Sequence, residues 1–279
     1  METLAERLSR RKREGTRSVL AYLMAGSIPD EDFVKGVRAL REAGVDGLEV
    51  GFPFSDPIAE GPVIQQAAVR ALERSMRWER LLALLPSVSR ELPTAVMTYL
   101  NPVLAREPAR AFRELAGAGA SALILPDLPL DRARSLGTAS ERSGVALVLL
   151  AAPASGRERL RSIARKTEGF LYLVSRYGTT GEGSGTTPST HAQEVDLTES
   201  LRELHAVRPR LPVLVGFGIS SPEAVERRLL QGADGVIVGS ALQARLNAGE
   251  AAEGLGAVMA ALVHAARGFL SQRNSEGSG

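Results

Sequence analysis

The chain contains no cysteine. That absence removes a disulfide framework, a thiolate metal site and a cysteine nucleophile together, and it fits a reducing compartment such as the cytoplasm. Only three histidines occur, His191 in a polar stretch and His205 and His264 in helical patterns. They form no ligand cluster and give a serine triad no base, so metal-assisted hydrolysis and acyl transfer are both hard to build. Lysine is equally sparse: Lys12, Lys35 and Lys166 all fall in helical patterns, none at the end of a candidate strand. A Schiff-base aldolase or a pyridoxal enzyme is therefore disfavoured, and no cofactor or metal is expected. No apolar run is long enough to span a bilayer, and the N-terminal METLAERLSRRKREG lacks the apolar centre of a signal peptide. The net charge is only +2 and the cations, almost all arginine, alternate with acids, so no basic face with aromatics suggests a nucleic acid.

What remains is a chain of 279 residues with 44% hydrophobic content, enough for one large core. Short apolar runs at 18–23, 47–51, 95–99, 122–125, 145–150, 170–174, 212–216 and 235–238 read as buried strands. Amphipathic patterns at 31–43, 78–90, 108–116, 130–143, 157–166, 197–207, 222–231 and 254–271 read as helices. Eight strand-then-helix units predict an α/β fold, a single (β/α)₈ TIM barrel over 1–279, with a helix near 1–15 and a frayed tail at 271–279. An open doubly wound sheet is the competing architecture, although no GxGxxG follows the first strand.

The stretch GLEVGFPFSDPIAEGPVIQQ, 47–66, is the most informative. It begins as a strand carrying Glu49 and breaks on Pro53, Pro57 and Gly61-Pro62, yet it holds Phe52, Phe54 and Ile58, apolar residues that a solvated linker rarely carries. Glu49 and Glu60 would flank an apolar pocket, where scarce water raises a carboxyl pKa into the range of a general acid or base. The other reading pairs Glu49 with a buried arginine and leaves Glu60 in water.

Two connections are extended, one after the second strand and one after the sixth. The latter, RYGTTGEGSGTTPSTHAQEV at 176–195, is so rich in Gly, Ser and Thr that it reads as a lid ordered by ligand, with 183–193 a plain insertion. VGFGIS at 215–220 and GVIVGSAL at 235–242 follow the last two strands, where glycines let backbone N–H groups reach an anion at a helix start. Such turns are the usual phosphate site of a barrel. Carboxylates, strand tyrosines and a phosphate site suggest proton transfer on a phosphorylated substrate. Cleavage beside an electron-rich ring fits, because ring protonation creates the electron sink.

Glu49 within LEVGFPFSDP, then MTYLNP, LPDLP, LYLVSRYGTTG, VGFGIS and GVIVGSAL, in this order from about 19 to 242, resembles the tryptophan synthase alpha subunit family. The resemblance implies a lyase that splits indole-3-glycerol phosphate into indole and glyceraldehyde 3-phosphate, normally delivering indole to a pyridoxal-phosphate-dependent beta subunit. It implies Glu49 as acid and base, Glu60 as the carboxylate at the indole N–H, Tyr172 beside Glu49, and Thr180 as a lid residue. It further implies phosphate binding by Gly181, Phe217, Gly218, Gly239 and Ser240, and an indole pocket of Tyr22, Ile64, Met97, Tyr99, Leu125 and Phe217. For each apolar position, ordinary barrel filling is the competing role.

The chain departs from the family pattern at three points. Glu60 stands where the family has aspartate, Ser27 follows Gly26 where the family has an acid, and the segment after Gly181 is longer and more polar. These departures suggest a divergent member that takes a substituted indole or works without the beta subunit. Other readings are a catalytically weak protein that activates a beta subunit and a sugar-phosphate isomerase. The FPFSDP and SRYGTTG loops speak against the isomerase.

Overall fold

The computed structural model describes residues 2–175 and 196–276, with the side chains of the last helix as far as 268. Eight parallel strands close into a barrel in chain order. They are β1 (Ser18–Met24), β2 (Gly47–Gly51), β3 (Thr94–Met97), β4 (Ala120–Ile124), β5 (Ala146–Ala151), β6 (Leu171–Val174), β7 (Val213–Gly216) and β8 (Gly235–Val238). The expected TIM barrel is therefore present, with strand ends shifted by a few residues. Both faces of these strands are covered, by the barrel interior and by the helix ring, which is why each reads as a nearly unbroken apolar run.

The helices are α1 (Leu4–Arg13), α2 (Asp30–Glu42), α3 (Pro62–Glu73), α4 (Trp78–Ser89), α5 (Leu100–Ala105) and α6 (Pro108–Gly117), followed by α7 (Ala133–Ser143), α8 (Arg157–Lys166), α9 (Thr198–Val207), α10 (Pro222–Leu230), α11 (Ser240–Asn247) and α12 (Leu255–Glu276). α3 corrects the expected loop, which ends at Gly61 instead of running to 66. Gly61 is the N-cap and Pro62 occupies the first turn, where its missing N–H would have had no intrahelical partner. α5 also lies where the pattern suggests no helix; its Pro102 again falls in the first turn. α12 continues past 271 to Glu276.

α1 lies across the N-terminal end of the barrel. Its Thr3–Glu6 capping box fixes the helix start, and Leu4 and Leu8 are fully buried. Leu4 packs so closely on β2 that a Cβ on Gly47 would come within 2.4 Å of it. Two buried aspartates fasten the helix. Asp46 accepts from Arg11 at 2.8 Å, from Arg267 of α12 at 2.9 Å and from the Val19 N–H at 2.9 Å. Asp234 meets Lys12 at 2.7 Å, His205 at 2.9 Å and the Val213 N–H at 2.9 Å. Burial alone would raise the Asp234 pKa, but His205 and Lys12 hold it below the usual value.

Candidate active site

The opposite, C-terminal end of the barrel holds the acids. Glu49, at the middle of β2, is fully buried, and neither of its oxygens has a hydrogen-bond partner. Burial first, and the Glu60 charge second, push its pKa up to about 8. Glu60 is 6% exposed with Oε2 unpartnered, and burial raises its pKa to about 7. The alternative of an arginine-paired Glu49 and a solvated Glu60 is thereby set aside. Two carboxyls left unpaired in a dry site are a large penalty unless they stay protonated or await a ligand.

The chain between β2 and α3 is tied down at several points. The Ala59 N–H donates to the Tyr99 hydroxyl at 3.0 Å, and the Glu60 carbonyl accepts from Gln65 Nε2 at 2.9 Å. Phe54 stacks on Tyr99 at 5.0 Å, and Phe52 meets Trp78 edge-on at 5.5 Å. Glu60 is thus aimed by the hydrogen bonds at Ala59 and at its own carbonyl, and by two aromatic anchors earlier in the same loop.

A cavity opens above the strands, walled by Glu60, Tyr22, Tyr172, Ile64 and Met97, and closed toward the last two strands by Phe217, Gly218, Gly239 and Ser240. Ile219 and Ile237 complete it; neither stands out in the sequence, because an isoleucine in or just after a barrel strand carries no signal beyond core filling. Glu49 does not wall this cavity. It sits close enough to Tyr22 and Tyr172 for its charge to raise the pKa of both phenols, after burial as the main cause. Leu125 walls a wider cavity alongside, which shares Phe217, Gly218 and Ser240 with the first. Tyr99 walls neither, since its ring and hydroxyl are taken up by Phe54 and Ala59. Thr180, Gly181 and the expected lid at 176–195 lie outside the described residues.

Glycine allows the two strand tyrosines their positions. A Cβ on Gly51 would meet the Tyr22 oxygen at 2.2 Å, and one on Gly216 would meet the Tyr172 oxygen at 2.1 Å. Each phenol therefore lies across a glycine of the neighbouring strand.

On the other side, Phe217 and Gly218 both adopt left-handed φ, +69° and +71°. For a phenylalanine this is strained backbone, of the kind found where a site fixes its chain. Ser175, buried at the end of β6, donates its hydroxyl to the Phe217 carbonyl, and Tyr172 packs edge-on against the Phe217 ring at 6.0 Å. Gly239 is the N-cap of α11 and brings no capping side chain, so first-turn N–H groups and the positive helix end face the cavity rim. Ser27, at the departure after Gly26, is buried against Met24 O and Gln243 and ties β1 to α11. Among the described residues no group of acids and histidines could hold a metal ion, and no helix is long and apolar enough to cross a membrane.

A closed parallel barrel that sets raised carboxyls at its C-terminal end, opposite helix-start glycines, defines a barrel lyase working by proton transfer on an anionic substrate. The family model for the tryptophan synthase alpha chain matches residues 8–269. Tryptophan synthase alpha chains of Synechococcus sp. and Picosynechococcus sp. are 43% and 39% identical, covering 92% of this chain and 92% and 96% of theirs. A solved Mycobacterium tuberculosis tryptophan synthase superposes with a TM-score of 0.82 at 34% identity, covering 95% of this chain and 98% of that one. A Pyrococcus furiosus structure, described as an a2b2 tryptophan synthase complex with mutual activation, gives a TM-score of 0.76 at 31% identity, covering 89% and 98%. The chain belongs to the tryptophan synthase alpha chain family.

Proposed function

We propose that the protein cleaves indole-3-glycerol phosphate to indole and glyceraldehyde 3-phosphate by a retro-aldol reaction. The observation that carries this reading is the pair of buried, unpartnered carboxyls with pKa values raised to about 8 and about 7. Near neutral pH the first is largely protonated while the second is partly ionised, which suits a proton donor beside a charge-stabilising carboxylate. Glu49 delivers its proton to the indole C3, and the positive charge that develops toward the ring N–H is stabilised by ionised Glu60. The Glu49 carboxylate then takes the proton of the hydroxyl on the adjoining side-chain carbon. The bond to the ring breaks, its electrons restore the aromatic indole, and the oxygen closes to the aldehyde. Gly218, Gly239 and Ser240 anchor the phosphate, and Ile64, Met97 and Phe217 hold the ring. Tyr172 packs beside Glu49, and Tyr99 and Leu125 support the outer pocket.

The partner is a pyridoxal-phosphate-dependent beta subunit, and the place of action the cytoplasm. A second reading, a weak lyase whose main task is to activate that subunit, rests on Glu60 standing where the family has aspartate. One added methylene moves the carboxylate by roughly a bond length, enough to matter for proton transfer. Indole release by the isolated chain, repeated with a beta subunit, separates the two. Turnover by the chain alone supports the lyase. Turnover only in the complex favours the second reading, and none in either condition refutes both.

A further inference from the structure

Tyr22 stands on β1, which pairs with β8 on one side and β2 on the other. In the β1–β2 register it is the direct partner of Glu49. On the β8 side, a Cβ on Gly239 would come within 3.2 Å of the Tyr22 Cβ. The residue is 6% exposed and shares a cavity with Glu60, Gly239 and Ser240, yet its hydroxyl has no hydrogen-bond partner. Phenylalanine would fill the same volume without a stranded polar group, so the hydroxyl is accounted for by what enters the cavity.

On the functional reading above, a substrate anchored by phosphate at the turn after β8 and cleaved at Glu49 on β2 must lay its three-carbon chain across β1. We propose that the Tyr22 hydroxyl binds the alcohol group of that chain nearest the phosphate, and so selects hydroxylated over deoxygenated chains. The ring N–H is matched by Glu60 and the hydroxyl on the cleaved carbon by Glu49, which leaves the neighbouring alcohol in need of a partner. A phenol both donates and accepts, so it meets a secondary alcohol in either sense. Burial, then the charges of Glu60 and Glu49, keep the phenol protonated and able to donate.

The test sets wild-type protein beside Tyr22→Phe, using indole-3-glycerol phosphate as substrate and indole-3-propanol phosphate, which lacks both chain hydroxyls, as a binding probe. Expected are a fall of ~10-fold or more in kcat/KM, a change of less than ~2-fold in affinity for the deoxygenated ester, and a melting temperature that does not drop. An unchanged kcat/KM overturns the proposal. So does equal weakening of both esters, which would assign the hydroxyl to the ring or the phosphate. Wild-type protein that neither turns over the substrate nor binds the probe would refute the functional reading itself, and the Tyr22 assignment with it.

Discussion

Among single residues, Glu49 carries the heaviest demand. Glu49→Gln is expected to lower indole release by ~1,000-fold or more while a phosphate ester still binds, as seen by an indole assay beside calorimetry. The pH profile of wild-type kcat/KM should rise as Glu60 ionises near 7 and fall as Glu49 ionises near 8, flanks that belong to the coupled pair. A rising limb centred below pH 6 would contradict the dry site. The same group predicts a stability effect of definite sign. A carboxyl whose folded pKa is raised takes up a proton on folding between its unfolded value of 4.5 and about 8, so stability falls as pH rises through that window. Glu49→Gln lacks that loss, and at pH 9 it should melt ~5 °C or more above wild type, with the gap closing toward pH 5. Glu60→Asp, which shortens the reach of a carboxyl already aimed into the cavity, should reduce kcat by ~10-fold in the isolated chain. A kcat at or above wild type would mean that the extra methylene is a handicap.

At the scale of elements, the turn after β7 is held from β6. Ser175→Ala removes the hydroxyl that donates to the carbonyl of the strained Phe217, and should raise KM by ~5-fold with kcat within ~2-fold. A pure loss of kcat would place the effect at the acids instead. Ser175 carries no sequence signal of its own, since a serine after a strand says nothing of the carbonyl it reaches from another strand. Glu49 and the glycine turns were legible because a charge inside an apolar strand, and Gly pairs after two late strands, break local rules that only a site would break. Helix α3 was not, because Gly61-Pro62 is both a breaker and a good helix start, and nothing local chooses between the two. The placement of Tyr99 was equally hidden: the motif puts it on the rim, but only the stacked Phe54 and the Ala59 N–H decide how it serves the site.

Across the whole molecule, the proposed site and the ion pairs that fasten α1 lie at opposite ends of the barrel. Asp234→Asn, which weakens the hold on Lys12 and His205 at the N-terminal end, is expected to lower the melting temperature by ~5–10 °C with kcat/KM within ~3-fold. Asp234 has a depressed pKa, so its contribution is present above its unfolded value of 3.8 and disappears as pH falls through the still lower folded value. A large kinetic effect of Asp234→Asn in a fully folded protein would deny that separation. The molecule also carries one tryptophan, and its indole touches Phe52, the first residue beyond the strand of Glu49. Its emission thus comes from a single known address against the loop that carries Glu60. Any ligand that shifts the Phe52 ring should alter that glow without a dye, letting a stopped-flow trace time the loop directly against the appearance of product.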